Sequence, residues 1–222
     1  TVNQVKQNVK IIGTDPGISA EFNGGTHMSM EDIGVLRSIP EIVIFEPTDN
    51  IQLKKALPQI VNYYGVVYIR TFRKNTPDIF DENCDFDLFK AAKITEGKDL
   101  SIFCSGIMVN ETLIANEKLK SMGIDAEIIN IHTIKPIDKA AVVASARKTG
   151  AVLTVENHSV IGGLKSAVCE VLMEEFPVPL RAVGVQDKFG QVGKMPYLKE
   201  QYNMQAEDIV KKAIEVLAAK NN

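Results

Sequence analysis

The sequence predicts an α/β protein built from two units with parallel sheets, the second of them a doubly wound three-layer domain. Two observations support this fold class. Short β-branched runs alternate with segments that carry apolar residues at helical spacing, and a stretch between residues 74 and 99 shows neither pattern. Strands that alternate with helices are typical of parallel sheets joined by crossover helices. A chain of 222 residues is long enough for two such domains.

Three strands and one long helix are predicted in the first unit. The strands are the β-branched runs 9–12, 42–45 and 66–69, each bounded by glycine, proline or charged residues. After the second run, Asp49 is typical of a helix N-cap, and apolar residues follow it at helical spacing. Pro58 lies inside this helix and predicts a kink or a break, because proline has no backbone N–H to donate.

The second unit has a more regular pattern. Gly123 and Gly150 are typical of the residue that ends a helix, and Asp138 of a helix N-cap. The predicted strands are 100–104, 124–131, 151–155 and 181–185, and the predicted helices are 110–122, 138–149, 163–176 and one that begins near residue 206. The connection at residues 79–97 carries four large apolar side chains, at positions 80, 86, 88 and 89, so we expect it to pack against a domain.

Composition excludes several classes of function. The net charge of −3, without a basic stripe, gives no reason to expect a nucleic-acid partner. No apolar run is long enough to span a membrane, and no basic and apolar leader is present, so we expect no membrane partner. Cys84, Cys104 and Cys169 are widely spaced and predict reduced thiols in a cytoplasmic protein, the last two of them buried.

Eight short motifs run in order through nearly the whole chain. They lie at residues 9–14, 15–19, 23–27, 37–40, 46–49, 70–75, 156–158 and 162–164. As a set they resemble the transketolase family of thiamine-diphosphate enzymes, although a single motif such as Gly-Gly-Thr-His would be weak evidence. The resemblance implies a partial pyrimidine-binding domain at residues 1–78, an interdomain crossing at 79–97 and a complete transketolase C-terminal domain at 98–222.

The same resemblance implies that much of the catalytic machinery lies outside this sequence. The family's glutamate that protonates the aminopyrimidine, the aromatic residues that stack on it, and the Gly-Asp-Gly…Asn signature for magnesium have no counterpart here. We therefore expect thiamine diphosphate and Mg²⁺ to be bound mostly by a partner, an N-terminal transketolase subunit or domain, and expect a homodimer of this chain. The chain alone is expected to be inactive.

Transketolases transfer a two-carbon ketol unit between sugar phosphates of the pentose phosphate pathway, and the cofactor supplies the carbanion chemistry. His27, which follows a Gly-Gly turn, corresponds to a histidine that contacts the donor's reacting oxygen, and an imidazole suits that proton-exchanging role. By the same resemblance, Arg73 grips the substrate phosphate, since guanidinium forks onto phosphate oxygens. Arg70, on the same strand end, is a second candidate for substrate binding, with a structural role as its alternative.

Two positions depart from the family pattern and leave the substrate open. Asn23 stands where sugar-specific transketolases usually carry an aspartate that reads hydroxyl stereochemistry, and asparagine keeps an acceptor without the charge. Asp15 stands where many relatives have a histidine that helps to bind phosphate or a sugar hydroxyl. Because a carboxylate repels phosphate, either that contact is absent or Asp15 meets a sugar hydroxyl.

Alternatives remain for both the site and the function. Glu156, His158 and the glycines at 162 and 163 open a helix and offer a weak second anion site, whereas His132 is interpreted as structural. Another thiamine-diphosphate enzyme is the first alternative function, either deoxyxylulose-phosphate synthase or a 2-oxoacid dehydrogenase beta subunit, and a test with pyruvate as donor separates these. A non-catalytic assembly module is the second.

Overall fold

The computed structural model describes residues 6–220, so residues 1–5 and 221–222, the ends of the predicted domains, lie outside the described residues. Two sheets of mainly parallel strands are present, as the sequence predicts. The strands are β1 (Val9–Thr14), β2 (Val43–Phe45), β3 (Val66–Thr71), β4 (Ala92–Thr95), β5 (Leu100–Cys104), β6 (Ala126–Asn130), β7 (Thr133–Lys135), β8 (Val152–Ser159) and β9 (Leu180–Val185). The helices are α1 (Asp32–Arg37), α2 (Asn50–Asn62), α3 (Met108–Ser121), α4 (Lys139–Thr149), α5 (Leu164–Glu175), α6 (Met195–Gln201) and α7 (Ala206–Lys220), with a 3₁₀ helix at Gly17–Asn23.

The first sheet has the strand order β1-β3-β2-β7. Its three predicted strands are parallel, but the fourth, β7, is antiparallel to β2 and comes from beyond residue 98. The two halves of the sequence therefore share one sheet, a pairing that the strand pattern does not predict. At the other end of this sheet β1 is an edge strand with Ile11 and Ile12 exposed.

The second sheet has the order β4-β6-β5-β8-β9 and supports a three-layer domain. Alternate residues of its strands face opposite sides, so Ile102 packs with α3 and α7 whereas Phe103 packs with α4 and α5. Helices on both faces of a mainly parallel sheet make the doubly wound arrangement that the sequence predicts.

The predicted crossing at 79–97 is only partly a connection. Leu88 is buried against the first sheet, as its apolar character predicts, but residues 92–95 form β4, which is antiparallel to β6. This four-residue edge strand was missed because polar residues alternate with apolar ones over too short a run.

Of the kink or break predicted at Pro58, the break does not occur. Helix α2 continues through it to Asn62, and Asp49 caps the N-terminus by accepting from Gln52 N at 2.8 Å. Pro58 leaves only one more turn to form, and Ala56 and Ile60 on either side are buried, so packing outweighs the lost hydrogen bond.

Within residues 6–220 no helix has both the length and the apolar character needed to cross a bilayer. All three cysteines are free thiols, and Cys104 is buried as predicted, but Cys169 is partly exposed.

Candidate functional site

Asp15 and Arg73 form a pair at the carboxyl ends of two neighbouring strands. Because β1 and β3 are parallel and in register, the two strands end at the same edge of the sheet. At this edge Asp15 N donates to Thr71 O at 2.8 Å. Asp15 Oδ1 accepts from Arg73 N at 3.0 Å, and Asp15 Oδ2 accepts from Arg73 Nε. We call this unit the Asp15–Arg73 pair.

The pair leaves one edge of the guanidinium open. The Arg73 side chain is 70% exposed whereas that of Asp15 is 8% exposed. Asp15 occupies the Nε position, and neither Nη atom of Arg73 has a hydrogen-bond partner within residues 6–220. From the sequence, Asp15 is expected either to make no contact with phosphate or to meet a sugar hydroxyl. In the structure Asp15 has a further role, because it orients the side chain of Arg73.

His27 lies in an exposed loop that follows the 3₁₀ helix ending at Asn23. Its backbone N–H donates to Gly24 O at 3.0 Å, and its ring Nδ1 lies 2.9 Å from Thr26 Oγ1. The Nε2 atom has no partner in the described part of the chain, so one ring nitrogen remains available to a ligand. Asn23 is exposed as well.

The loop that carries His27 is held by the second half of the chain. A Cβ atom on Gly25 would lie 2.8 Å from the carbonyl oxygen of Gly190, and one on Gly190 would lie 3.0 Å from the sulfur of Met28. Only glycines permit this close approach of two backbones. The His27 loop is therefore packed against the second half of the chain at Gly25 and Met28, although Thr26 and His27 are exposed.

A cavity of about 170 Å³ adjoins the Asp15–Arg73 pair. Its polar lining includes Ser19 and two lysines, Lys74 and Lys199. Each lysine is already paired with a carboxylate, Lys74 with Glu21 and Lys199 with Glu111. Among the residues that the structure describes, Arg73 therefore differs from these lysines in keeping a two-pronged Nη edge free of any acceptor, whereas each ammonium group is already paired with a carboxylate.

Arg70 does not join this site. Its side chain is completely buried between the two halves, where Nε and Nη2 donate to Asp32 at 2.8 and 3.1 Å and Nη1 donates to Glu46. A further bond runs from Nη2 to the carbonyl oxygen of Asn157 at 2.9 Å. With its donors taken up inside the protein, Arg70 is not available to a substrate phosphate, and the structural alternative is the one favoured.

The carboxylates around Arg70 are themselves bound by neutral donors. Tyr68 OH donates to Asp32 Oδ2 at 2.8 Å, and Ser105 Oγ donates to Glu46 Oε2 at 2.6 Å. Burial tends to raise the pKa of Asp32, but Arg70 and Tyr68 hold it below its usual value. We call this buried set the Arg70 cluster: Asp32, Glu46, Tyr68, Arg70 and Ser105. Glu46 belongs to the motif at 46–49 but was given no role from the sequence, and Asp32 was not a candidate site residue, although each is an acidic residue at the border of an apolar run.

The suspected second anion site is filled by the protein itself. Glu156 places its carboxyl group at the N-terminus of α5, where Oε2 and Oε1 accept from Leu164 N at 2.6 Å and Lys165 N at 2.9 Å. Burial raises the pKa of Glu156 to about 8, against the opposing effect of these two amides. A Cβ atom on Gly163 would lie 2.0 Å from Glu156 Oε2, so the glycine turn makes room for this side chain and leaves none for a ligand.

The other two histidines are structural. His158 Nε2 accepts from Gly34 N at 3.3 Å, so the ring is neutral, and burial lowers its pKa to about 4. His132 is buried against the ring of Phe45 and lies 2.8 Å from Lys90 O, and burial lowers its pKa also to about 4. The interpretation of His132 as structural therefore agrees with its surroundings.

The described residues do not by themselves fit magnesium diphosphate. Among residues 6–220, no cluster of three histidine, cysteine, aspartate or glutamate side chains has the arrangement of a metal site. Asp32 and Glu46 are already neutralised by the Arg70 guanidinium, which lies where a cation would have to bind.

Comparisons with known proteins follow the same division of the chain. Residues 1–78 match the family model of the transketolase pyrimidine-binding domain. Residues 90–209 match the model of the transketolase C-terminal domain. The second match begins just before β4, so the family model assigns this strand to the C-terminal domain.

Relatives and solved structures agree with these family models. A 6-deoxy-6-sulfo-D-fructose transketolase subunit of Clostridium sp. strain MSTE9 is 54% identical over 96% of this chain and 66% of the relative. An apulose-4-phosphate transketolase subunit of Phocaeicola vulgatus is 38% identical over 95% of this chain and 67% of the relative. A structure described as a split-gene transketolase in an inactive β4 tetramer matches with a TM-score of 0.92 and 39% identity, over 98% of this chain and 69% of that one.

The chain thus spans about two thirds of the length of these relatives. Its two matched domains stand in the order that the motifs predict, on the fold that the split-gene structure shares. The chain belongs to the transketolase family of thiamine-diphosphate enzymes and corresponds to its C-terminal part.

Proposed function

We propose that this chain is the C-terminal subunit of a split transketolase that transfers a ketol unit between anionic sugars. Thiamine diphosphate and Mg²⁺ are then bound mostly by an N-terminal partner subunit. The observation that carries the proposal is the open guanidinium edge of Arg73, which Asp15 holds at the carboxyl end of the first sheet. The turn after Asp15 is joined to the segment after His27, because Gly17 N donates to Ser29 O at 2.8 Å. The names of the two relatives support the division into partners.

In this proposal Arg73 binds the anionic end of the sugar. Its two free Nη groups match two oxygens of a phosphate or sulfonate, and hydrogen bonds to charged groups contribute about 1.5–3 kcal/mol each. Asp15 raises the specificity of this contact because it fixes the guanidinium through Nε and leaves only the Nη edge for the ligand.

His27 has the complementary role at the reacting end. With Nδ1 next to Thr26, its Nε2 is the atom that hydrogen-bonds a carbonyl or hydroxyl oxygen and exchanges a proton with it. We expect His27→Ala to lower turnover by roughly 10²–10⁴-fold in the assembled enzyme while leaving the far-UV circular dichroism unchanged. Thr26→Val is the matched control in the same loop, with a smaller loss. Unchanged turnover of His27→Ala would remove this role.

The charge of the site bears on which sugar is used. Asp15 beside Arg73 reduces the positive charge that a ligand meets, which disfavours a phosphate dianion more than a sulfonate monoanion. One additional unit of charge at about 4 Å is worth roughly 1–4 kcal/mol, depending on solvent. The name of the relative at 54% identity supports a sulfonated donor as a second candidate beside the sugar phosphates.

Reconstitution tests the proposal. This chain, and a version extended upstream, are each mixed with the N-terminal subunit from the same genome, thiamine diphosphate and Mg²⁺. Ketol transfer to ribose 5-phosphate is followed with xylulose 5-phosphate or 6-deoxy-6-sulfo-D-fructose as donor. Transfer from either donor supports the proposal. Transfer from neither, with reaction of pyruvate instead, would favour a deoxyxylulose-phosphate synthase or a 2-oxoacid dehydrogenase subunit.

The chain alone is proposed to be inactive and to associate with itself. The split-gene structure at 39% identity is described as an inactive β4 tetramer, which supports both parts of this statement. Since a ligand stabilises only a folded state that binds it, thiamine diphosphate with Mg²⁺ should leave the melting temperature of the isolated chain nearly unchanged. A rise of several degrees would contradict this, and light scattering measures the oligomer.

A further inference from the structure

The turn before the 3₁₀ helix is an unusual piece of backbone. Asp15 and Gly17 both have positive φ, at 54° and 56°. Aspartate tolerates this left-handed region better than most residues but less readily than glycine, so contacts with the rest of the chain stabilise the turn. The orientation of Asp15, and through it that of Arg73, therefore depends on whatever holds this turn.

Asn157 holds the turn from the other half of the chain. Its side-chain Nδ2 donates to Pro16 O at 3.0 Å, and its Oδ1 accepts from Ile18 N at 2.9 Å. One amide group thus binds the peptides on both sides of Gly17. A Cβ atom on Gly17 would lie 2.3 Å from Asn157 Oδ1, so the turn lies directly against this side chain.

The second half presents Asn157 rigidly. The pairing of β8 with β9 shifts register between Val155 and Ser159, and such an irregularity re-aims the side chains next to it. Asn157 is 1% exposed, and its own carbonyl oxygen accepts from Arg70 Nη2 at 2.9 Å. The Arg70 cluster therefore fixes the backbone of Asn157 while the side chain fixes the turn.

Another contact supports the same turn without replacing Asn157. Gly17 N donates to Ser29 O at 2.8 Å. This bond also involves the peptide before Gly17, from the side of the His27 loop, whereas the Asn157 amide holds both peptides that flank Gly17, two residues after Asp15.

We propose that Asn157 is a positioning residue for substrate binding, because its amide fixes the turn that aims Asp15 at Arg73. The proposal rests on the proposed function, since the anionic end of the sugar is what the Asp15–Arg73 pair would bind. Through Asn157 the C-terminal domain would contribute to substrate recognition without touching the substrate.

Kinetics on the assembled enzyme provide the first test. In Asn157→Ala we expect KM for ribose 5-phosphate to rise about tenfold, since small misplacements of binding groups cost this much or more. With unphosphorylated ribose as acceptor, KM should change less than about twofold, because no anion reaches Arg73. The matched control is Asn130→Ala, which removes another buried asparagine at a strand end that also bridges the two halves, through Gln52 at 2.7 Å.

Amide exchange on the isolated chain provides the second test and needs no activity. The Ile18 and Arg73 amides donate to Asn157 Oδ1 and Asp15 Oδ1, so both should exchange faster in Asn157→Ala and remain slow in Asn130→Ala. Equal KM changes for both acceptors, equal effects of the two variants, or an Arg73 amide that stays protected would each overturn the proposal. If the wild-type assembly shows no ketol transfer, the proposed function fails, and the exchange of the Arg73 amide still decides the role of Asn157.

Discussion

Replacing Arg70 by methionine should destabilise the protein more than other arginine substitutions. The methionine fills much of the same volume but leaves Asp32 and Glu46 without their cation. Removing one partner of a buried ion pair costs about 3–5 kcal/mol, because the remaining charge is neither solvated nor paired. That is a large part of the roughly 5–15 kcal/mol by which typical domains are stable.

The structure divides this cost between the two carboxylates. The Glu46 side chain is 2% exposed and cannot recover solvent, whereas that of Asp32 is 11% exposed and keeps the hydrogen bond from Tyr68. Adding Glu46→Gln to the Arg70→Met chain should therefore restore about 2 kcal/mol, since the glutamine oxygen still accepts from Ser105. Adding Asp32→Asn should restore less.

Urea unfolding followed by far-UV circular dichroism at pH 7 and pH 5 measures these free energies. The loss in Arg70→Met should shrink at pH 5, because Arg70 holds the pKa of Asp32 down and, without that cation, burial raises it, so that Asp32 takes up a proton more readily. Arg181→Met is the control: Arg181 is exposed, and we expect a change within about 0.5 kcal/mol. A loss below about 1 kcal/mol in Arg70→Met, or no recovery on adding Glu46→Gln, would refute the reasoning.

Three further predictions concern stability and reactivity. Burial lowers the pKa of His158 and His132 from 6.5 to about 4, so below pH 6.5 the folded protein binds fewer protons than the unfolded chain. The free energy of unfolding should therefore fall by roughly 1–2 kcal/mol for each histidine between pH 7 and pH 5, which urea unfolding at the two pH values measures. Gly17→Ala should lower the free energy of unfolding by at least about 2 kcal/mol, because the new Cβ atom would lie 2.3 Å from Asn157 Oδ1. Gly123→Ala is the control, since Gly123 also has positive φ but nothing lies within 4 Å of its Cβ position, and it should cost about 1 kcal/mol. Equal losses in urea unfolding would contradict the close contact between Gly17 and Asn157. Burial raises the pKa of the Cys104 thiol to about 12, so mass spectrometry should find it unmodified by iodoacetamide until urea unfolds the chain, and labelling of the folded protein would contradict this.

Local patterns were sufficient for much of the fold. Runs of β-branched residues located β1, β2 and β3, and Asp49 and Asp138 accept from the backbone amides of α2 and α4 as predicted. These features depend on neighbours within a few residues, which a sequence displays directly. The short strand β7 has only three residues and belongs to the first sheet only through its pairing with β2, so no local pattern distinguishes it.

The site was predictable as a set of residue types but not as a set of contacts. Resemblance singled out Asp15, Arg70 and Arg73 together, and the structure divides them between an exposed pair and a buried cluster. Arg70 lies within β3 whereas Arg73 lies two residues beyond its end at Thr71, so the two side chains are in different environments. Which arginine is buried depends on Asp32 and Glu46, which lie far away in the sequence.

Both parts of the site depend on the C-terminal half. The first sheet takes β7 from it, the His27 loop lies against Gly190, and Asn157 binds the turn of Asp15. Each contact is made by backbone or by a buried side chain, so a shift between the halves would disturb the substrate-binding turn and the histidine loop together. Substrate binding and the stability of the junction should therefore be coupled: variants that weaken the Arg70 cluster should also weaken the protection of the Arg73 amide. A destabilised Arg70→Met chain in which that amide stays fully protected would show that the two halves act independently.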